Sequence, residues 1–422
     1  MERRLDKFII KGGFPLKGKL RVNGAKNATL PILAACLLTE GKSHLENVPC
    51  LTDIVTMCRV LEELGVKAER ENKTVEVDSV SLSCWETPYD LVKLMRASIL
   101  VLGPLLARCR RARVSLPGGC NIGARPVDLH LEGLKQLGAS IEVRNGYIEA
   151  RVKKNLLGAN IYLDVPSVGA TENIMFAATL AKGTTLIKNP SCDPEVIDVA
   201  NFLKKMGAHI EGEGTDIVRI DGVKELFPAS HSVIPDRIEA GTLLMAAVIT
   251  KGEVILERIS PSYLRIILDK LRQMGAEVDV DNHTVRVKGD DVLRPIGVKT
   301  LPYPGFSTDL QPQITSVVCL AEGTSTITET IFESRFTHIA GLKKMGAQIK
   351  REKAKVEVNG VSSLRRASVT APDIRGGAAL VLAGLAAEGM SEVKEITHVD
   401  RGYEKLEEKL SKLGARIERM RD

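Results

Sequence analysis

The sequence predicts an α/β protein of two lobes built from six repeats of about 70 residues, three per lobe. Two recurring phrases and their spacing carry this reading. The first phrase is "VLEELGVKAE", "GLKQLGASIE", "FLKKMGAHIE", "KLRQMGAEVD", "GLKKMGAQIK" and "KLSKLGARIE". Its glycines are Gly65, Gly138, Gly207, Gly275, Gly346 and Gly414, so successive copies lie 73, 69, 68, 71 and 68 residues apart. The second is an apolar stretch rich in small residues and closed by a glycine, as in "NATLPILAACLLTEG", "TENIMFAATLAKG" and "IRGGAALVLAGLAAEG". Its closing glycines, at 41, 183, 252, 323 and 389, stand 24, 24, 23, 23 and 25 residues before the next glycine of the first phrase. The second repeat keeps the apolar stretch, "LMRASILVLGPLLARC", without that glycine.

Each element of a repeat follows in order. The apolar stretch has no polar face, so it reads as a helix buried on every side. Short β-like runs such as "TTLIKN" and "GEVILER" come next. The first phrase then ends an amphipathic outer helix, with a left-handed glycine just past its C-terminus. One or two strands complete the repeat. Hinges are expected in "RVNGAKN" near residue 23 and "HSVIPDRIEAG" near residue 234. They divide the chain into a lobe of residues 24–233 and a lobe of residues 1–23 plus 234–422. The N-terminal strand "KFIIKGG" is expected to complete the second lobe, which makes a double crossover.

The polar residues gather at helix starts. Buried helices are expected to begin near Lys26-Asn27, Arg96, Thr171-Glu172, Glu239, Asp309 and Arg375. Outer helices are expected near Asp53, Arg125, Pro194, Ser262, Arg335 and Arg401. A cation in a helix's first turn opposes the helix dipole and costs up to about 1 kcal/mol. A bound anion reverses that sign, because it gains free N–H donors and forked guanidinia. Lys26, Arg96, Arg125, Arg335, Arg375 and Arg401 therefore read either as an anion-binding set or as surface cations paired with acids such as Asp373 and Asp400. Asp309 reads either as a helix-start acid or as a base among cations.

Composition bounds the partners. A net charge of +6 suits a small anionic substrate and is too weak to argue for nucleic acid. Aromatics are only 4%, with one Trp, so no stacking platform for single strands is expected. The eight cysteines contain no CxxC pair and no zinc-like spacing, which points to a reduced, cytoplasmic protein without metal. No apolar run is long enough to predict a membrane span. Cys120 stands apart. It lies in "VSLPGGCNIGARPVDLH", between glycines and five residues before Arg125. A neighbouring cation lowers a thiol's pKa, and glycines allow a loop to close over a substrate.

Eight motifs in order, "NGAKNATLPILAA", "MRAS", "PGGCNIGARPVDLH", "SVGATENIM", "YPGFSTDLQPQ", "FESRFTHIAGL", "PDIRGGAALVLAG" and "HVDRGYEKLE", resemble those of the UDP-N-acetylglucosamine enolpyruvyl transferases. The resemblance spans essentially the whole chain. It implies a two-lobed inside-out α/β barrel and transfer of the enolpyruvyl group of phosphoenolpyruvate to the sugar 3′-hydroxyl, with release of phosphate. It implies no metal or organic cofactor, and a place at the first committed step of peptidoglycan synthesis, hence in cell-wall biogenesis, cell shape and division. By the same resemblance, Cys120 protonates the methylene carbon, forms a pyruvate adduct and is the target of fosfomycin. Asp309 meets the 3′-hydroxyl as the base. Lys26, Asn27, Arg125 and Arg401 hold phosphoenolpyruvate. Arg96, Arg125, Pro126, Val127, Asp128, Leu129, Ser167, Val168, Gly169, Asp309 and Ile331 contact the UDP-sugar. Arg335, Asp373 and Arg375 are further cleft residues. The resemblance gives no oligomeric state.

Three other readings fit the residues less well. The shikimate 3-phosphate enolpyruvyl transferases resemble this chain in repeat number and donor but lack such a loop cysteine. A non-catalytic paralogue is disfavoured by the intact set of Cys120, Asp309, Lys26 and arginines. An RNA-modifying enzyme is disfavoured by the scarcity of aromatics and the lack of a catalytic histidine motif.

Overall fold

A computed structural model describes residues 6–116 and 127–421. These form two compact units, one of residues 6–23 and 235–421, the other of residues 24–116 and 127–234. The fold is mixed α/β. Among the described residues there are six small sheets, three in each unit, five of four strands and one of three. One sheet shows the common plan. Asn160–Tyr162 runs parallel to Thr184–Lys188, which pairs antiparallel with Ile217–Asp221, itself antiparallel to His209–Glu211. A parallel neighbour requires a crossover connection, and here the helix Val168–Thr179 supplies it.

The apolar stretches fold as buried helices. All thirteen residues of Arg237–Ile249 are buried, since the sequence offers no polar face to turn outward. Burying each of its Leu, Ile and Met side chains contributes roughly 1.5–3 kcal/mol. Asp236 caps this helix by accepting the Ile238 and Glu239 N–H groups at 2.8 and 3.0 Å. Each unit has its own apolar core, around Leu244, Ile314 and Leu382 in one and around Ile32, Leu102 and Phe176 in the other. The glycines of the first phrase, Gly65, Gly138, Gly207, Gly275, Gly346 and Gly414, all have φ between 91° and 106°. A side chain there is strained by its own backbone, so glycine ends each helix and turns the chain into a strand.

The chain passes between units at residues 23–24 and 234–235. The two passages hold each other: Asp236 N–H donates to the Asn23 carbonyl at 2.8 Å and Ala25 N–H to the Ile234 carbonyl at 2.7 Å. Lys17–Arg21 runs parallel to Glu253–Glu257, and Ser230–Ser232 runs parallel to Lys42–Glu46. The first pairing joins strands from either side of the 24–234 stretch, and the second joins strands from near the two ends of that stretch. Lys7–Lys11 lies antiparallel between Met390–Lys394 and Arg416–Met420.

Three helix starts differ from expectation. The helix expected near Thr171 begins at Val168, because Ser167 caps it by accepting the Ala170 N–H. Arg335 and Arg401 are not in the first turn of an outer helix. Arg335 lies in a run of turns ahead of Ile339–Lys344. Arg401 follows the short helix Thr397–Asp400, and the next, Leu406–Lys412, starts only after Lys405 at φ 48°. The dipole argument therefore applies to neither residue. Gly402, in this break, packs closely: a Cβ there would sit 2.4 Å from Ile374 Cγ2.

Candidate active site

In the unit containing residues 235–421, three residues expected to be functional meet directly. Asp309 lies in the one-turn helix Thr308–Leu310, capped by Ser307, whose hydroxyl accepts the Asp309 N–H at 3.2 Å. Arg335 Nη1 lies 2.7 Å from Asp309 Oδ1. Arg375, in the first turn of Ile374–Ala386, donates through Nε and Nη2 to Oδ2 at 3.2 and 2.9 Å. The Asp309 side chain is 20% exposed, whereas those of Arg335 and Arg375 are 5% and 3% exposed. They are not surface cations. Both are buried against a carboxylate that is remote in sequence and keeps one open side.

A neutral polar layer backs this ionic group. Arg375 lies over the Tyr403 ring, 5.3 Å from its centroid. The buried Tyr403 hydroxyl is 3.0 Å from Thr242 Oγ1 and accepts from Gln313 Nε2 at 2.8 Å. Burial alone would lower the pKa of Arg375, but Asp309 and then Tyr403 raise it above the usual guanidinium range, so it is a fixed cation. Asp373 is occupied as a cap. Its Oδ1 accepts the Arg375 and Gly376 N–H groups, both at 2.9 Å, and its Oδ2 accepts from the Thr337 hydroxyl at 2.8 Å. Burial pushes the His338 pKa down to about 4, with Asp373 opposing and Arg335 adding to the shift. Arg401 is half-buried, and its neighbour Asp400 pairs with Arg419 at 2.5 Å. Ile331 is exposed and donates its N–H to Glu329 at 2.8 Å.

In the other unit, Lys26 opens the helix Lys26–Ala35 and is 7% exposed. Its Nζ lies 3.3 Å from Asp53 Oδ2, on the first turn of Thr52–Glu63. Asn27 beside it is half-buried. Arg96 starts the short helix Arg96–Val101, Val127 precedes the helix Asp128–Gln136, and Ser167 caps Val168–Thr179. Asp128 and Val168 are exposed, and Leu129 is half-buried.

His130 joins these segments, and sequence reasoning missed it. It is 5% exposed, and a Cβ on Gly169 would lie 2.9 Å from its Cε1. The Asn173 amide fixes its tautomer. Asn173 Oδ1 accepts the Gly103 N–H at 2.8 Å, and Nδ2 donates to the Ile99 carbonyl at 3.0 Å. The remaining Nδ2 hydrogen meets His130 Nδ1 at 2.9 Å, so Nδ1 accepts and the ring hydrogen sits on Nε2. Burial, aided by Arg96, pushes the pKa of His130 down to about 4. The "VDLH" run was in view in the sequence, but its spacing gives no sign of the Asn173 partner.

Cys120, Arg125 and Pro126 lie outside the described residues. Among the described residues, no group of three or more His, Cys, Asp or Glu side chains is placed to hold a metal ion. No described helix is long and apolar enough to cross a membrane.

The family model for EPSP synthase (3-phosphoshikimate 1-carboxyvinyltransferase) matches residues 10–410. UDP-N-acetylglucosamine 1-carboxyvinyltransferase 2 of Carboxydothermus hydrogenoformans is 53% identical over 99% of this chain and 100% of its own. UDP-N-acetylglucosamine 1-carboxyvinyltransferase of Trichlorobacter lovleyi is 51% identical over 99% of each chain. The crystal structure of the enolpyruvyl transferase NikO from Streptomyces tendae superposes with a TM-score of 0.89 at 26% identity, over 99% of this chain and 100% of that one. With a family match across nearly its whole length and relatives above half identity, this chain belongs to the EPSP synthase family of enolpyruvyl transferases.

Proposed function

We propose that this protein transfers the enolpyruvyl group of phosphoenolpyruvate to the 3′-hydroxyl of UDP-N-acetylglucosamine and releases phosphate, opening peptidoglycan precursor synthesis. One observation carries the reading: four relatives bearing the UDP-N-acetylglucosamine 1-carboxyvinyltransferase name are 50–53% identical to this chain over 98–99% of its length. Cys120, in the sequence "PGGCNIGARPVDLH", supports it against the shikimate 3-phosphate alternative. The reading includes the six-repeat, two-lobe barrel, with one lobe of residues 24–233 and the other of residues 1–23 plus 234–422. It also includes a cytoplasmic location and a Cys120 open to alkylation by fosfomycin.

The roles follow from the chemistry. The 3′-hydroxyl oxygen bonds to the enol carbon as its proton passes to Asp309. Cys120 gives its thiol proton to the methylene carbon, which becomes a methyl group. The resulting tetrahedral phospho-ketal then returns a methyl proton to the Cys120 thiolate and expels phosphate, which carries off the proton held by Asp309, regenerating the enol double bond. Lys26, Arg125 and Arg401, with Asn27, hold the donor's phosphate and carboxylate, and fixed cations stabilise the leaving phosphate. Arg96, residues 125–129, residues 167–169 and Ile331 hold the UDP-sugar. Arg335 and Arg375 keep Asp309 ionised and aimed, with Asp373 positioning Arg375 through its cap. Every proton taken or given is handled by a side chain, so the scheme asks for no metal or organic cofactor.

The test is phosphate release from phosphoenolpyruvate by purified protein offered each of two acceptors. Release is expected with UDP-N-acetylglucosamine and not with shikimate 3-phosphate; the reverse result would overturn the assignment.

A further inference from the structure

Glu329 follows the strand Thr324–Thr328 and is 1% exposed. Donors from three separate segments fill its carboxylate. Oε1 accepts from the Thr300 hydroxyl at 2.8 Å, the Ile331 N–H at 2.8 Å and the Phe332 N–H at 3.1 Å. Oε2 accepts from the Thr308 hydroxyl at 2.8 Å. Thr308 in turn receives Arg335 Nη1 at 3.2 Å, the same nitrogen that lies 2.7 Å from Asp309 Oδ1. A guanidinium only donates, so Thr308 must turn a lone pair to Arg335 and its hydrogen to Glu329. The direction of the chain is therefore fixed, from Arg335 through Thr308 to Glu329. Hydrogen bonds to a carboxylate are shorter and stronger than neutral ones, and burial shields these from competing water.

Glu329 also spans the loop that delivers Asp309. Thr300 stands at the start of that loop and Thr308 at its end, and the Thr330 N–H and hydroxyl tie back to Thr300 Oγ1 and carbonyl at 2.9 and 2.5 Å. A single buried carboxylate thus clamps both ends of the Leu301–Ser307 segment and the Ile331–Phe332 peptide.

We propose that Glu329 is a positioning residue for enolpyruvyl transfer, setting the Ile331 peptide and the Thr308–Asp309–Arg335 group in one fixed relation. It would thereby align the acceptor's hydroxyl with its base. The inference rests on the functional reading above, in which Ile331 contacts the UDP-sugar and Asp309 meets the 3′-hydroxyl.

Substitutions separate the two arms. Glu329→Gln keeps one oxygen for the backbone N–H groups but turns an NH2 toward Thr308, so it breaks only the Thr308 arm. Its kcat should fall about tenfold, as for loss of one charge-assisted hydrogen bond, with both KM values within twofold of wild type. Thr308→Val should match it, and the double variant should be no worse than either single one. Glu329→Ala breaks both arms and should also raise KM for UDP-N-acetylglucosamine about tenfold, leaving KM for phosphoenolpyruvate unchanged. A merely structural role would reduce the active fraction and move neither KM. Near-normal kcat in Glu329→Gln, or losses that multiply in the double variant, would overturn the inference while wild-type turnover leaves the functional reading standing. If Glu329→Ala does not fold, the Gln and Val variants decide. Wild-type protein inactive toward UDP-N-acetylglucosamine would overturn the functional reading and this inference with it.

Discussion

Asp309 and His130 both sit in largely buried polar networks, one in each unit, but they are held in opposite electrical states. Asp309 is an ion between two buried cations, Arg335 and Arg375. His130 is a neutral ring held by a neutral amide, with burial and Arg96 both opposing its charge. The difference teaches what each network can do near neutral pH. The first keeps a full charge in place and moves it only through chemistry. The second holds a ring N–H of fixed direction and no charge. Removing the charge should damage the first network most, and adding a proton should damage the second.

Asp309→Asn is the largest expected effect. It removes the proposed base, for which general base catalysis accounts for about 10²–10⁴ in rate. It also leaves two buried guanidinia facing an amide, a loss on the order of 3 kcal/mol in stability. Turnover should fall at least 100-fold, and UDP-N-acetylglucosamine affinity by titration calorimetry should change far less. A variant with near-normal turnover would remove Asp309 from the mechanism and reduce the ionic network to packing.

The middle effect is the response to acid. The folded-state pKa of His130, about 4, is below the value of about 6.5 for an unfolded histidine. The unfolded chain therefore binds more protons between these values. The stabilisation is present above pH 6.5 and is lost as pH falls toward 4. At about 1.36 kcal/mol per pH unit, one such histidine removes roughly 2 kcal/mol between pH 7 and 5. His338, also near 4, adds a similar slope in the other unit. His130→Gln should flatten part of the acid-induced loss seen in denaturant titrations at pH 7, 6 and 5. An unchanged slope would mean that His130 is charged or exposed, and the contrast with Asp309 would fail.

These two networks were unequally legible in the sequence. The glycines that end the outer helices were readable because the demand for positive φ is local and six copies share it. Lys26, Asp309 and Arg375 were readable as helix-start residues. Their partners were not. Asp53, which meets Lys26, and Asn173, which meets His130, are 27 and 43 residues away in the chain. Glu329 in "TITETIF" looks like an ordinary strand-end acid until Thr300 and Thr308 are folded onto it. Arg335 and Arg401 were placed on outer helices because the amphipathic pattern runs through them. The helix Thr397–Asp400 stops before Arg401 and the next begins only after Lys405 at φ 48°, so the pattern does not hold there. Spacing encodes turns and helix ends, whereas buried polar pairs depend on which segments pack together.

The smallest effect compares the same structural position in both networks. Asp373 caps the helix that carries Arg375, with two bonds of 2.9 Å from the Arg375 and Gly376 N–H groups. Ser167 caps the helix that carries Asn173, with one bond of 3.4 Å from Ala170. Loss of a good cap costs about 1 kcal/mol, with a range of roughly 0.5–2. Asp373→Ala should therefore cost about 1–2 kcal/mol in urea unfolding and should also lower kcat, because the same cap fixes the residue that holds Asp309. Ser167→Ala should cost a few tenths of a kcal/mol at most, since its single bond is long. If Ser167 contacts the UDP-sugar as proposed, its loss should instead appear as a higher KM for that substrate. Equal stability losses in the two variants would show that charge on the cap is irrelevant here. A raised KM in Asp373→Ala alone would move the acceptor contact from the neutral network to the ionic one.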